Sequence, residues 1–298
     1  MADFRALSRQ HPAIRAYIRH RRWVDRSGVL AYAPNTAGGA FSTDAFGFRR
    51  GELEGIPYDL GGAFSGRPYA LVLGSSHVFG FGLPSDADTI PSHLSAQNGF
   101  ACLNLSFPEA QLQALYAVAL RICMQAPRPP AFIALLPGGM LTSFAYVRAC
   151  DPLFGVPSFQ NGAAPENGPD SSAEKAAFAA LMTYTTFWIA EVAALAHRQG
   201  CPFILHPEYT AFEKPALSVA EVACGVTVPQ STPDRLRFET HRLRYPAYTD
   251  GILGNLPIGV RVARCDPSAL SYLDEFHYTA EATAQIATAI TQVFRHYA

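Results

Sequence analysis

The chain has 298 residues, 49% of them apolar, which is enough to bury a full core and excludes a disordered protein. Against 24 Asp and Glu stand 23 Lys and Arg, a formal charge of -1, so there is no global field to hold nucleic acid or an anionic membrane, and a small molecule is the expected partner. Six cysteines (Cys102, Cys123, Cys150, Cys201, Cys224, Cys265) form no C-x-x-C pair, which excludes a zinc ribbon or thioredoxin-type motif and leaves buried free thiols, with no metal or cofactor expected.

The first expected element is a helical arm from Asp3 to Asp25. Leu7, Ile14, Tyr17, Ile18 and Trp23 recur at roughly helical spacing among several arginines, so a basic face packed on the domain through its apolar side is expected. This segment lacks the apolar core of a signal peptide, and no later stretch has the uninterrupted apolar length of a membrane span; a cytoplasmic protein is the expectation. Residues 29–67 give no strong period. They complete a helical and irregular lead-in, about residues 1–65, packed on a single domain that takes in the whole chain.

The core begins at Tyr69–Leu73, an apolar run ended by Gly74, which is how a strand buried on both faces reads in a parallel sheet. A helix follows from about Asp88 to Gln97 with Gly99 closing it, then a strand at Ala101–Leu105 and a helix from Glu109 to Met124, stopped by prolines at 127–130. The next strand, Phe132–Leu136, is halted by Pro137-Gly138-Gly139, and residues 151–170 form a surface excursion. Ser171 and Glu174 make a capping box for a helix whose Phe178, Leu181, Thr185, Ile189, Val192 and Leu195 keep a 3.6-residue period up to Gly200. Strand Pro202–His206 leads into a Pro-rich excursion over 207–250, followed by a strand at Ile258–Val262, a loop through His277 and a last helix from Thr279 with Ala282, Ile286, Ala289, Val293 and Tyr297 on one face. Strands alternating with helices imply an α/β chain: a three-layer sandwich around a mostly parallel sheet. In such sheets the ligand site lies beyond the carboxyl ends of the strands.

Two loops there carry candidate chemistry. Gly74-Ser75-Ser76-His77 follows the first core strand, where a serine can present its hydroxyl at the sheet edge beside backbone N–H groups. Small residues after a strand are also ordinary turn formers. Asp274-Glu275-Phe276-His277 places a carboxylate and an imidazole three residues apart, the two groups a serine hydroxyl needs to lose its proton at neutral pH; the same pattern serves a helix-capping loop. No H-E-x-x-H, Walker A or G-x-G-x-x-G is present.

Together these segments resemble the SGNH, or GDSL-type, hydrolases, whose first block is G-D-S after the first strand and whose last is D-x-x-H before the final helix. Thr43-Asp-Ala-Phe-Gly-Phe-Arg49 is also similar to the N-x-x-G-F-R lead-in of many bacterial members, so the resemblance runs in order from about residue 40 to 298. It implies a flavodoxin-like fold, Ser76 as nucleophile, His277 as general base and Asp274 as the acid that orients it. It further implies an oxyanion hole from the backbone N–H groups of Ser76 and Ser106, the latter standing at the family's Gly position. Two departures follow: Ser75 replaces the first-block Asp, and Met140 stands where the third block offers an Asn. Gly138 and Gly139 are the expected substitute donors, and His77 and His206 possible pocket residues. The function implied is an esterase acting on a small-molecule ester through an acyl-enzyme; an acyltransferase using the same triad, or a silent binding protein that keeps the fold, stay open.

Overall fold

Four apolar runs become the strands that organise the molecule, each buried on both faces. The computed structural model describes residues 12–19, 23–26, 29–108, 110–138, 147–150, 157–159, 172–223 and 232–297. In chain order the elements are α1 (Ala13–Arg19), β1 (Trp23–Arg26), β2 (Val29–Tyr32), β3 (Gly51–Leu53), β4 (Ile56–Tyr58), β5 (Tyr69–Gly74), α2 (Ser76–Phe79), α3 (Ile90–Asn98), β6 (Ala101–Ser106), α4 (Leu112–Gln125) and β7 (Ile133–Leu136). There follow β8 (Val147–Cys150), β9 (Pro157–Phe159), α5 (Ser172–Arg198), β10 (Phe203–Leu205), α6 (Val219–Ala223), α7 (Thr232–Gly254), β11 (Arg261–Val262) and α8 (Ala280–Tyr297).

The central sheet has the order β6-β5-β7-β10-β11, all parallel. Counted along the chain this is 2-1-3-4-5, the doubly wound flavodoxin-like order that the sequence led us to expect. Period-two alternation divides the core. Leu71, Leu73, Leu103, Leu105, Ile133 and Leu135 pack with α4, α5 and α7, whereas Ala70, Val72, Cys102, Ala134 and Ile204 pack with α3 and α8, giving three layers.

Several expectations need correction. The helical arm ends at Arg19, and Trp23–Arg26 instead pairs antiparallel with Val29–Tyr32; Ile14 and Tyr17 are buried as the apolar side required. The lead-in is less irregular than its composition suggested, since Gly51–Leu53 pairs with Ile56–Tyr58. The 207–250 excursion holds a 23-residue helix, α7, which accommodates Pro246 in its interior. Its buried Tyr245, Tyr248 and Ile252 have helical spacing, and packing of that face outweighs the local cost of the proline. The strand expected at Ile258–Val262 shrinks to two residues, with Ile258 fully exposed.

Helix α8 buries Ala282, Ile286 and Ile290, while Tyr297 at the end of its expected apolar face is exposed under the Arg261 guanidinium. Phe178–Arg198 within α5 is, at 21 residues and mean hydropathy 1.4, long and apolar enough to cross a membrane, contrary to the sequence expectation; Leu181, Ile189, Val192 and Leu195 on one side of it pack into the core. Cys102 and Cys123 are buried free thiols as expected, but Cys201 and Cys265 are only partly buried. The Cys150 and Cys224 thiols and the Ser171–Glu174 capping box lie outside the described residues and side chains.

Candidate active site

At the carboxyl end of the sheet, β5 runs into the one-turn helix α2, which begins at Ser76. The turn needs a glycine before it: a Cβ on Gly74 would lie 2.3 Å from Val78 Cγ2 and 3.2 Å from the Leu136 carbonyl oxygen. Asn104 on the neighbouring strand donates from Nδ2 to the Val78 carbonyl at 3.1 Å, and its Oδ1 accepts the Ser106 hydroxyl. The far end of α2 is held by Arg49. Its Nη1 lies 2.9 Å from the Phe79 carbonyl, 2.7 Å from that of Gly80 and 2.6 Å from the Tyr17 hydroxyl. Sequence reasoning quoted Arg49 within the lead-in motif but gave it no role.

Ser76 itself is only partly buried. Its Oγ lies 2.9 Å from His277 Nε2, and His277 Nδ1 lies 2.7 Å from Asp274 Oδ2. The loop makes this geometry locally. Asp274 Oδ1 accepts the backbone N–H groups of Phe276 and His277 at 2.8 and 2.7 Å, so one carboxylate folds its own turn and orients the imidazole three residues on. Burial pushes the Asp274 carboxyl up, but the His277 ring beside it and the hydrogen bonds it accepts outweigh that and hold it below its ordinary value. An ionised Asp274 places the hydrogen of His277 on Nδ1 and leaves Nε2 with a lone pair facing Ser76. Phe81 covers the imidazole, ring centroids 4.8 Å apart.

The other expected site residues are placed as follows. Ser106 ends β6 in register with Gly74, so its backbone stands beside the turn that carries Ser76. Gly138 follows β7 against Glu208, whose carbonyl oxygen is 2.7 Å from where a Cβ would sit. Gly139 and Met140 lie outside the described residues. His77 and His206 are both buried and engaged within the protein, not open at a pocket wall. His77 Nδ1 is 2.6 Å from Glu208 Oε1, and His206 Nδ1 accepts the Glu208 backbone N–H at 3.0 Å. Burial pushes His206 down to about 3, so it is neutral. Sequence reasoning met Glu208 only as a neighbour of His206 and gave it no role of its own. Among the described residues no group of three or more His, Cys, Asp or Glu side chains is placed to hold a metal ion.

No family model matches the chain, and no curated protein does. Solved structures do. A putative SGNH hydrolase from Slackia heliotrinireducens matches at 14% identity and TM-score 0.39, covering 76% of this chain and 98% of that one. A GDSL-like lipase from Bacteroides thetaiotaomicron matches at 15% identity and TM-score 0.39, covering 77% and 89%. A carbohydrate esterase family 2 enzyme with a carbohydrate-binding domain, from Corynascus thermopiles (Myceliophthora fergusii), matches at 12% identity and TM-score 0.41; 77% of this chain is covered, and the match spans just under two thirds, 66%, of the longer chain. The strand order and the helices packed on both faces of the sheet in this chain establish the three-layer α/β architecture.

Proposed function

We propose that the chain is a serine hydrolase of the esterase type, which cleaves an ester or related acyl group of a small molecule through an acyl-enzyme on Ser76. What supports the reading is the continuous line from Ser76 Oγ through His277 to Asp274, at 2.9 and 2.7 Å, drawn from loops 201 residues apart. Turn formers and helix caps have no need to meet in this way.

In this mechanism the Ser76 hydroxyl gives its proton to His277 Nε2 as Oγ bonds to the acyl carbon and the carbonyl electron pair moves onto oxygen. Backbone N–H groups of Ser76, Ser106 and Gly138 are the proposed donors to that oxyanion, each such donor being worth on the order of 100- to 1,000-fold in turnover. The intermediate then collapses: the carbonyl re-forms, the bond to the leaving alcohol breaks, and the alcohol takes the proton from Nε2. Water attacks the acyl-enzyme, Nε2 accepts its proton, and release of the acid returns that proton to Ser76. Asp274 stays ionised throughout, holding the ring and stabilising its charged form.

Hydrolysis of activated short-chain aryl esters tests the reading. Turnover is expected with the intact chain and should fall by roughly a thousandfold or more in Ser76→Ala and in His277→Ala. A folded Ser76→Ala protein with undiminished turnover would remove it. Adding an alcohol acceptor to the same assay shows whether water or the alcohol takes the acyl group, which separates a hydrolase from an acyltransferase.

A further inference from the structure

The residues on either side of Ser76 are tied to a carboxylate that the mechanism above does not use. Ser75, His77 and Glu208 are each at most 3% exposed. Glu208 Oε1 lies 2.6 Å from His77 Nδ1 and 3.4 Å from Ser75 Oγ, and that hydroxyl is 3.1 Å from the same ring nitrogen. His77 Nε2, buried, has no hydrogen-bond partner among the described residues, so the polar contacts described for this ring all lie at Nδ1. A carboxylate taken out of water is retained only where it is well paired, and two of the groups that pair with Glu208 flank Ser76.

Glu208 sits in the loop after β10 with φ 62°, a left-handed backbone that a non-glycine residue adopts only when its surroundings impose it. That loop touches the other parts of the site as well. The Glu208 backbone occupies the space left by the missing side chain of Gly138. The Tyr278 hydroxyl donates to the Tyr209 carbonyl, and Ala211 N–H donates to the Glu275 carbonyl at 3.1 Å, which joins it to the Asp274–His277 loop.

The geometry points to Glu208 and His77 as positioning residues: their buried carboxylate–imidazole pair locks the nucleophile turn onto the loop after β10, which in turn fixes Ser76 relative to His277 and Gly138. The inference rests on the triad reading. Neither side chain touches the reacting atoms; both act through the placement of Ser76. Displacement of a reacting group by about 1 Å costs on the order of 100-fold in rate, so the link governs turnover more than substrate binding.

The test uses the full chain, an activated aryl ester and a fluorophosphonate probe. Glu208→Ala and His77→Ala should each lower kcat and the rate of Ser76 labelling by about 10- to 100-fold, with KM changed by no more than about twofold. The double variant should be no slower than the slower single, because both remove one link. Glu208→Gln, which keeps an acceptor oxygen at the same reach, should recover most of the loss. Folded variants with wild-type kcat, or losses that multiply in the double, would overturn the inference. Should the alanine variants not fold, Glu208→Leu and His77→Leu, which fill the space but cannot make the link, are compared in their place, and both at wild-type kcat would overturn it equally. Failure of the intact chain to label at Ser76 contradicts the triad reading itself, whereas a labelled chain with equally fast variants contradicts only the positioning role.

Discussion

The Arg49 guanidinium donates to the Gly80 carbonyl at 2.7 Å, closing the end of the helix that starts at Ser76. The same group reaches Asp86 Oδ1 at 2.7 Å from Nε, and the Ala40 and Ser85 carbonyls at 3.0 and 2.7 Å from Nη2. A planar fork with five donors suits this cluster of acceptors, and an ammonium does not. Arg49→Ala takes this donor from all of them and the cation from Asp86, although Gly80 keeps the Tyr17 hydroxyl and the Leu83 N–H, and Asp86 keeps Ser42. The expected loss is about 3 to 5 kcal/mol of stability, a fall in melting temperature on the order of 10 °C by calorimetry. Arg49→Lys is expected to recover only a part of it.

Gly74 is the tightest point of the turn that carries Ser76. In Gly74→Ala the new methyl meets Val78 at 2.3 Å, and Val78 belongs to the helix that carries Ser76. Overpacking of this kind costs typically 1 to 3 kcal/mol, and relief requires the helix to shift. Ester turnover should therefore fall by about tenfold or more while the protein remains folded.

Asp274 bears on acid stability and, on the proposed mechanism, on activity. Its folded-state pKa is below its unfolded one, so the ionised carboxylate stabilises the fold at every pH above the unfolded value, and that contribution drains away as pH falls through the lower folded value. Denaturation followed below about pH 4 should show a proton uptake that is absent in Asp274→Asn. At neutral pH the same variant presents the wrong imidazole tautomer to Ser76, and kcat is expected to drop by roughly 1,000- to 10,000-fold.

His206 gives a dependence in a different range. Its folded pKa of about 3 is depressed by burial, so below the unfolded value the denatured chain binds a proton that the folded chain refuses. Stability should decline from about pH 6.5 downward by up to about 1.4 kcal/mol per pH unit from this group, and His206→Gln should flatten the slope over pH 6 to 4 in urea titrations.

The sheet was legible because strands covered on both faces are written as short apolar runs: Tyr69–Gly74, Ala101–Ser106 and Ile133–Leu136 are each closely bounded by Gly or Pro. The Ser76 turn and the Asp274–His277 loop were legible as candidates because each packs its polar groups into four consecutive residues. Helix α7 was hidden by Pro246 and by a mostly polar sequence in which the buried apolar side chains among the described residues, Tyr245, Tyr248 and Ile252, are too few to set a period. Glu208 was invisible for a physical reason: its partner His77 lies on another strand's loop, and only the folded backbone brings the pair to 2.6 Å. Arg49 likewise owes its role to carbonyl groups, which carry no sequence signal.

The central claim is that Ser76 is a nucleophile activated by His277, and covalent capture tests it most directly. Incubation of the intact chain with a fluorophosphonate, followed by mass analysis of the whole protein and of its peptides, is expected to give a single phosphonyl adduct on the peptide containing Ser76. Labelling should be slowed by about 100-fold or more in His277→Ala. A folded chain that takes no label at Ser76, or that labels equally fast without the imidazole, would contradict the account.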